Sequence, residues 1–180
     1  MKAMIETQSL ILDKAKFADW KEMYDNVWSR PESARYMAWD ITTSEEDARI
    51  RIRKTITFQK EHDAWLVYEK SSGRAIGFAG VEEIEPYIYQ ETGICLGPDY
   101  VGKGFGKQIL QGLIQYCKEE YGAREFRYST REENRASNLL AKSTGFTLIS
   151  SEHKVSSKDG RCYNFLQYSY KMNTAHKGEL

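Results

Sequence analysis

No apolar run approaches the roughly 20 residues that a membrane-spanning helix needs, so no membrane association is expected. Neither sign of charge is in excess, with 26 Lys and Arg against 26 Asp and Glu. That balance disfavours sequence-blind binding of nucleic acid, which needs a basic excess. Cysteine is scarce: Cys95, Cys117 and Cys162 are odd in number and scattered. They read as free thiols of a reducing cytoplasm rather than a disulfide framework. The histidines, His62, His153 and His176, lie far apart without a Cys or His at ligand spacing, and no metal site is expected. Residues Met1 to Ser9 lack the apolar segment of a secretory signal. The final Lys177-Gly178-Glu179-Leu180, close to an ER-retention tail, is therefore not read as one.

What is present is enough for a core. The 180 residues are 41% hydrophobic and 13% aromatic, which excludes a disordered chain and fits a single domain. Its structured part is expected over about residues 5–172, with residues 173–180 a frayed tail.

The chain divides into short periodic segments. Ser9 to Leu12 reads as a strand, and Asp13 then precedes a helix with Phe17, Trp20, Met23, Tyr24 and Val27 on one face. Arg30-Pro31 ends it, and residues 31–42 read as a loop carrying Tyr36, Met37 and Trp39. Ser44 and an acidic first turn open a second helix, with Ala48, Ile52, Thr55, Ile56 and Gln59 inward. Ala64 to Glu69, Ala75 to Ile84 and Tyr87 to Leu96 form a three-strand meander. A helix then carries Phe105, Ile109, Leu110, Leu113, Ile114 and Cys117 on one face and stops at Gly122. A short strand around Phe126 and Tyr128, a helix capped by Asn134, and strands Phe146 to Val155 and Cys162 to Lys171 complete the chain. In that helix Ala136, Leu139 and Leu140 are expected to face inward. The order β α α β β β α β α β β predicts an α/β (α+β type) domain: a mixed, mostly antiparallel sheet with helices on both faces. Reading Cys162 to Lys171 as an exposed apolar edge also predicts a homodimer.

The stretch Leu96 to Lys107 joins a strand end to a helix start and holds Gly102, Gly104 and Gly106. Such glycines let the backbone approach a ligand, and the helix start offers unpaired amides to a phosphate. Lys103 and Lys107 add positive charge. A dinucleotide fingerprint fails, because its third glycine would fall on Lys107. A P-loop read from Gly97 through Lys103 lacks its metal-binding hydroxyl, since the next residue is Gly104. An acyl-coenzyme A pyrophosphate loop over Gly102 to Gly106 and a plain glycine-rich turn are left.

Three features together resemble the GCN5-related N-acetyltransferases, and within them the branch of ribosomal-protein N-terminal acetyltransferases. They are Glu91 through Gly106, Glu133-Asn134-Arg135-Ala136-Ser137-Asn138 with Ala141 to Phe146, and the element order. The resemblance implies acetyl-CoA as donor, an amine as acceptor (a protein N-terminus or a small molecule) and direct transfer without an acyl-enzyme. It implies that Ile94, Cys95 and Leu96 hold the pantetheine arm in a splay between two strands. The diphosphate would lie over Val101, Gly102, Lys103, Gly104, Phe105, Gly106 and Lys107. Val101 departs from the Gln or Arg usual there. It further implies that Asn134 and Ser137 stand near the thioester, with Ser137 protonating the leaving thiolate. The tyrosine that many family members place on this helix is absent, its region being Leu139-Leu140-Ala141.

Direct transfer needs a base for the ammonium proton. Glu91 is the first candidate, with Glu82 and Glu83 as rivals; an exposed, solvated carboxylate is the ordinary alternative for each. With Glu91 as base, a Glu91→Gln deficit is expected to be largest at low pH, where the amine is charged. The acceptor is expected against Trp28, Tyr36, Trp39 and Tyr87, with Met37 and Tyr89 nearby. A second reading is an acyl-CoA-binding module without catalysis.

Overall fold

The computed structural model describes residues 4–172; the tail expected to fray lies outside them. An eight-stranded sheet has the spatial order β1-β2-β3-β4-β5-β6-β8-β7. The strands are β1 (Ile5–Glu6), β2 (Leu10–Asp13), β3 (Asp63–Glu69), β4 (Ala75–Glu85), β5 (Ile88–Leu96), β6 (Glu125–Arg131), β7 (Thr147–Val155) and β8 (Cys162–Lys171). All neighbours are antiparallel except β5 and β6.

Apolar side chains on both faces of the sheet produce two cores. On one face α4 (Phe105–Tyr121) covers Leu12, Trp65, Val67 and Phe126 with Ile109, Leu110 and Leu113. On the other, α1 (Trp20–Met23) and α3 (Glu45–Glu61) cover Leu66, Ala75 and Cys95 with Met23, Ala48 and Ile52. Successive residues of β3, Trp65, Leu66 and Val67, serve alternate cores, as the two-residue period of a strand requires.

The expected elements are present, with five differences. One strand was not expected: β1 (Ile5–Glu6) pairs with β2 at one border of the sheet. The helix after Asp13 is broken up: a 3-10 turn (Phe17–Asp19) leads into α1, which runs into a π-helical turn (Tyr24–Trp28). The amide and hydroxyl of Ser29 both reach back to the Tyr24 carbonyl, at 3.1 and 2.7 Å, which holds the wider turn. The loop expected after Arg30 begins with a short helix, α2 (Pro31–Ala34), where proline at the first turn supplies the helical φ. In α5 (Arg135–Ser143) the buried residues are Asn138 and Ala141, and Leu140 packs half-buried against the core as expected, while Ala136 is exposed and Leu139 is 69% exposed. The physical reason is polar. The Asn138 amide donates to the carbonyls of Arg131, Glu132 and Asn134 and accepts from the Tyr168 hydroxyl at 2.7 Å. That turns Asn138, not Leu139, toward the sheet. Finally, β8 is not an edge: it lies between β6 and β7, and β7 forms the border of the sheet. The edge argument for a homodimer therefore does not apply to Cys162–Lys171.

Candidate active site

The one parallel pair is also the incomplete one. β5 and β6 pair over Ile88–Gln90 and Glu125–Arg127 only. Beyond Gln90 the strands diverge, leaving one edge of Glu91 to Leu96 without a strand partner. A bulge against β4 sits at the same point: Val81 pairs with Glu91 and Gly80 with Gly93, so Thr92 is unpaired. Gly93 takes φ 131°, a conformation that favours glycine. Bulges re-aim side chains, and here Glu91 reaches across the gap, its Oε1 accepting from the Ser129 amide of β6 at 3.0 Å. The carboxyl is 8% exposed. Burial raises its pKa to about 8, against the lowering hydrogen bonds from the Ser129 and Gly93 amides. It is thus not the ordinary solvated carboxylate.

The gap opens into a cleft of about 620 Å³, lined by Glu82, Gln90 to Ile94, Tyr128 to Arg131, Asn134 and Ser137, with Tyr36 and Met37 on one wall. Asn134 caps α5, its side chain accepting from the Ser137 amide at 3.2 Å. Ser137 and Tyr128 both line the cleft, and the Tyr128 side chain is buried. Burial holds its phenol well above its ordinary pKa, against the lowering effect of Ser137 and with the Glu91 charge adding to the rise. Both hydroxyls therefore stay protonated through neutral pH.

At one end of the gap, a 3-10 turn (Pro98–Tyr100) leads to the glycine loop and α4. Gly102 and Gly104 take φ 75° and 76°, and a Cβ on either would meet open space within 4 Å. Nothing of the protein fills that space, and backbone conformation alone demands glycine there. Gly106 is different. It lies inside α4 with a negative φ, where a Cβ would come 3.4 Å from Leu140. The first turn of α4 directs its free amides into this loop. Lys103 lies over Tyr100 and Phe105, at 5.1 and 6.0 Å from the ring centroids. Lys107 is exposed, Phe105 is buried and Val101 is 59% exposed. Positive-φ glycines, an open helix N-terminus and two lysines fit a diphosphate.

The aromatic residues separate. Tyr36 reaches the cleft. Trp28, 2% exposed, and Trp39 line a smaller cavity beside it. Tyr87 lines neither: at φ 63° it occupies the β4–β5 turn, 47% exposed, with Arg124 4.8 Å from its ring. Tyr89 is buried in the other core against Tyr121, ring centroids 5.1 Å apart. Of the rival carboxylates, Glu82 lines the cleft, while Glu83 bonds the Tyr87 amide at 2.9 Å. The Cys95 side chain points away from the gap, 3.6 Å from the Ser33 carbonyl. Burial pushes its thiol up to about 12, against the lowering effect of Arg51; it is no nucleophile.

Two contributors were not foreseen. Tyr128 appears in the sequence only as one inward residue of a short strand, yet it stands between Glu91 and Ser137 in the cleft. The β7–β8 hairpin, readable only as a turn at Lys158-Asp159-Gly160, folds over the site, with Val155 to Lys158 lining it. The Lys158 ammonium binds the carbonyls of Ala34 and Trp39 and lies 3.6 Å from Asp40, joining the hairpin to the loop after α2.

A split parallel strand pair, a carboxyl inside the split and a phosphate-ready loop beside it define an acyl-group-transfer fold. Residues 9–147 match the family model of the acetyltransferase (GNAT) domain. The chain belongs to that family and is an N-acetyltransferase. It is 27% identical over 143 residues to the uncharacterized N-acetyltransferase p20 of Bacillus licheniformis, covering 78% of this chain and 80% of that one. Its fold is similar to that of a GNAT-family acetyltransferase from Bacillus anthracis, with TM-score 0.81 and 18% identity over 94% of this chain and 98% of that one. It is also similar to RimL, the ribosomal L7/L12 alpha-N-protein acetyltransferase, in its complex with coenzyme A. There the TM-score is 0.75, with 20% identity over 94% of this chain and 98% of that one. Among the described residues no helix is long and apolar enough to cross a membrane.

Proposed function

We propose that this protein transfers an acetyl group from acetyl-CoA directly to an amine, the acceptor entering the cleft between Tyr36 and the β7–β8 hairpin. The observation that carries this reading is the divergence of β5 and β6 with Glu91 bridging it, in line with the glycine loop. RimL, of similar fold, was solved with coenzyme A.

Gly102 to Lys107 would hold the diphosphate by first-turn amides and two lysines. The free backbone edge at Ile94 to Leu96 would hold the pantetheine arm. Bound acetyl-CoA supplies an activated thioester carbonyl. Glu91, as carboxylate, takes a proton from the amine as nitrogen bonds to that carbonyl carbon. As the C–S bond breaks, Ser137 donates its proton to the departing sulfur, and the proton taken up by Glu91 returns to Ser137 by way of Tyr128, so that each group ends as it began. Asn134 holds the Ser137 amide in place.

Two coarser features follow. Buried free thiols at Cys95 and Cys117 suit a reducing cytoplasm. A homodimer, if formed, has β7 as its open edge, where Leu148 and Ile149 are about half exposed; light scattering at micromolar concentration decides it.

The test is release of free coenzyme A from acetyl-CoA with a panel of amines, peptides with free N-termini included. Amine-dependent release in the wild type and its loss in Glu91→Gln is the expected result. Tight binding of acetyl-CoA with no amine-dependent release would leave a binding module instead.

A further inference from the structure

A second cavity, about 350 Å³, lies on the α3 face of the sheet and opens to the cleft at Phe58, Thr92 and Gly93, which line both. Trp28, Trp39, Leu66 and Phe78 make its walls largely apolar. Into these walls is set a guanidinium. Arg51 of α3 lies between two indoles, its Cζ 4.8 Å from the Trp28 ring centroid and 4.5 Å from that of Trp39. It donates to the Thr42 hydroxyl at 3.0 Å. Among the described residues it forms no ion pair; the neighbouring Asp47 instead accepts from Ser44 at 2.6 Å. Burial lowers the Arg51 pKa to about 10, against a raising effect from Cys95, so it remains a cation at neutral pH. A half-buried cation without a counterion is costly, and cation–π contact offsets only part of that cost. The indole N–H of Trp39 is likewise buried without a partner. Lys54 stands exposed at the rim.

We infer that this cavity is an acceptor subsite that takes a carboxylate carried by the amine being acetylated, together with an apolar body. The inference rests on the acetyl-transfer reading above. A guanidinium fork matches the planar carboxylate, and the tryptophan and phenylalanine walls accept a flat apolar group. The shared lining at Thr92 and Gly93 joins this cavity to the cleft directly beside Glu91.

The test compares 4-(aminomethyl)benzoate with 4-(aminomethyl)benzamide, amines of like basicity that differ in the anion. With coenzyme A present, calorimetry should find the benzoate bound at least tenfold more tightly by the wild type. Arg51→Gln should bring the ratio to within about twofold of one. With acetyl-CoA, kcat/KM should show the same preference. Equal binding of acid and amide by the wild type overturns the inference, as does a preference that survives in Arg51→Gln. Tighter binding of benzylphosphonate than of the benzoate overturns the carboxylate assignment. A preference in binding with no turnover of either amine sinks the acetyl-transfer reading and leaves the anion subsite standing. Turnover of both amines at equal kcat/KM does the reverse.

Discussion

The proposed cofactor side and the proposed acceptor side of the cleft are assembled in opposite ways. The proposed cofactor side is one run of chain, Leu96 to Lys107, whose available groups are backbone amides at the start of α4. Gly102 and Gly104 meet no other residue and are required by their own φ values. The acceptor side draws on the loop after α2, on α3, on the β5 bulge and on the β7–β8 hairpin, segments up to about 120 residues apart, as in the bonds of Lys158 to Ala34 and Trp39. Its working groups are side chains whose properties come from burial. A local backbone site keeps its chemistry under most side-chain changes, whereas a side-chain site made of distant pieces depends on each of them.

The largest effect should come from Glu91, where the two sides meet. Glu91→Gln should lower kcat by roughly a hundredfold, within the usual range for a general base. The structure reverses the pH dependence that a solvated carboxylate implies. Since burial raises the Glu91 pKa to about 8, the wild-type base is mostly neutral at pH 6 and resembles Gln there. The deficit should therefore be smallest near pH 6 and largest near pH 8–9, read from pH–rate profiles of both proteins. Stability carries the same sign. A folded pKa above the ordinary 4.5 means that the fold loses stability as pH rises from about 4.5 to about 8. The cost is at most roughly 5 kcal/mol. Urea denaturation of Glu91→Gln should lack that decline; an unchanged decline would show that Glu91 is not its source.

Ser137→Ala should lower kcat about tenfold to a hundredfold with little change in the KM for acetyl-CoA, since a thiolate is a fair leaving group. Tyr128→Phe should act in the same direction. Both deficits should shrink toward pH 8–9, near the ordinary thiol pKa of about 8.5, where the thiolate leaves unaided. Wild-type kcat from pH 6 to 9 in Ser137→Ala, with chemistry limiting, assigns the proton to water.

On the cofactor side, Gly104→Val should reduce coenzyme A affinity at least tenfold, about 1.4 kcal/mol, because φ 76° strains a branched residue. Gly106→Ala should cost less than about threefold, as its helical φ tolerates alanine. Calorimetry that finds the two equal would break the distinction between a backbone site and a side-chain site. The smallest effect is expected at the roof. Lys158→Ala unties the hairpin from the loop after α2 and should raise the acceptor KM about threefold to tenfold while leaving coenzyme A affinity within error. A loss of coenzyme A affinity instead would mean the two sides are coupled.

Local signals sufficed for much of the fold. The 3.6-residue periodicity of Phe105 to Cys117, the Gly122 stop, the Ser44 and Asn134 caps and the meander turns each act within a few residues, and the structure contains them all. The glycine loop was legible for the same reason: positive φ is a property of the residue itself. Where contacts reach across the chain, the sequence was silent or misleading. Hydrophobicity pointed Leu139 inward, but the hydrogen bonds of Asn138 decided the face of α5. An apolar pattern made Cys162 to Lys171 look like an edge, but strand order placed it inside the sheet. Glu91 could be named from the sequence as the first candidate base; only the divergence of β5 from β6 buries it against the Ser129 amide and makes it a weaker acid. Arg51 went unremarked in the sequence, and α3 packs it between Trp28 and Trp39. Sequence by itself thus determined most of the elements and the conformation of the glycine loop, because torsional preference and periodicity are local. Tertiary structure alone decided which side chains become chemically unusual, because desolvation depends on what the rest of the chain places around them.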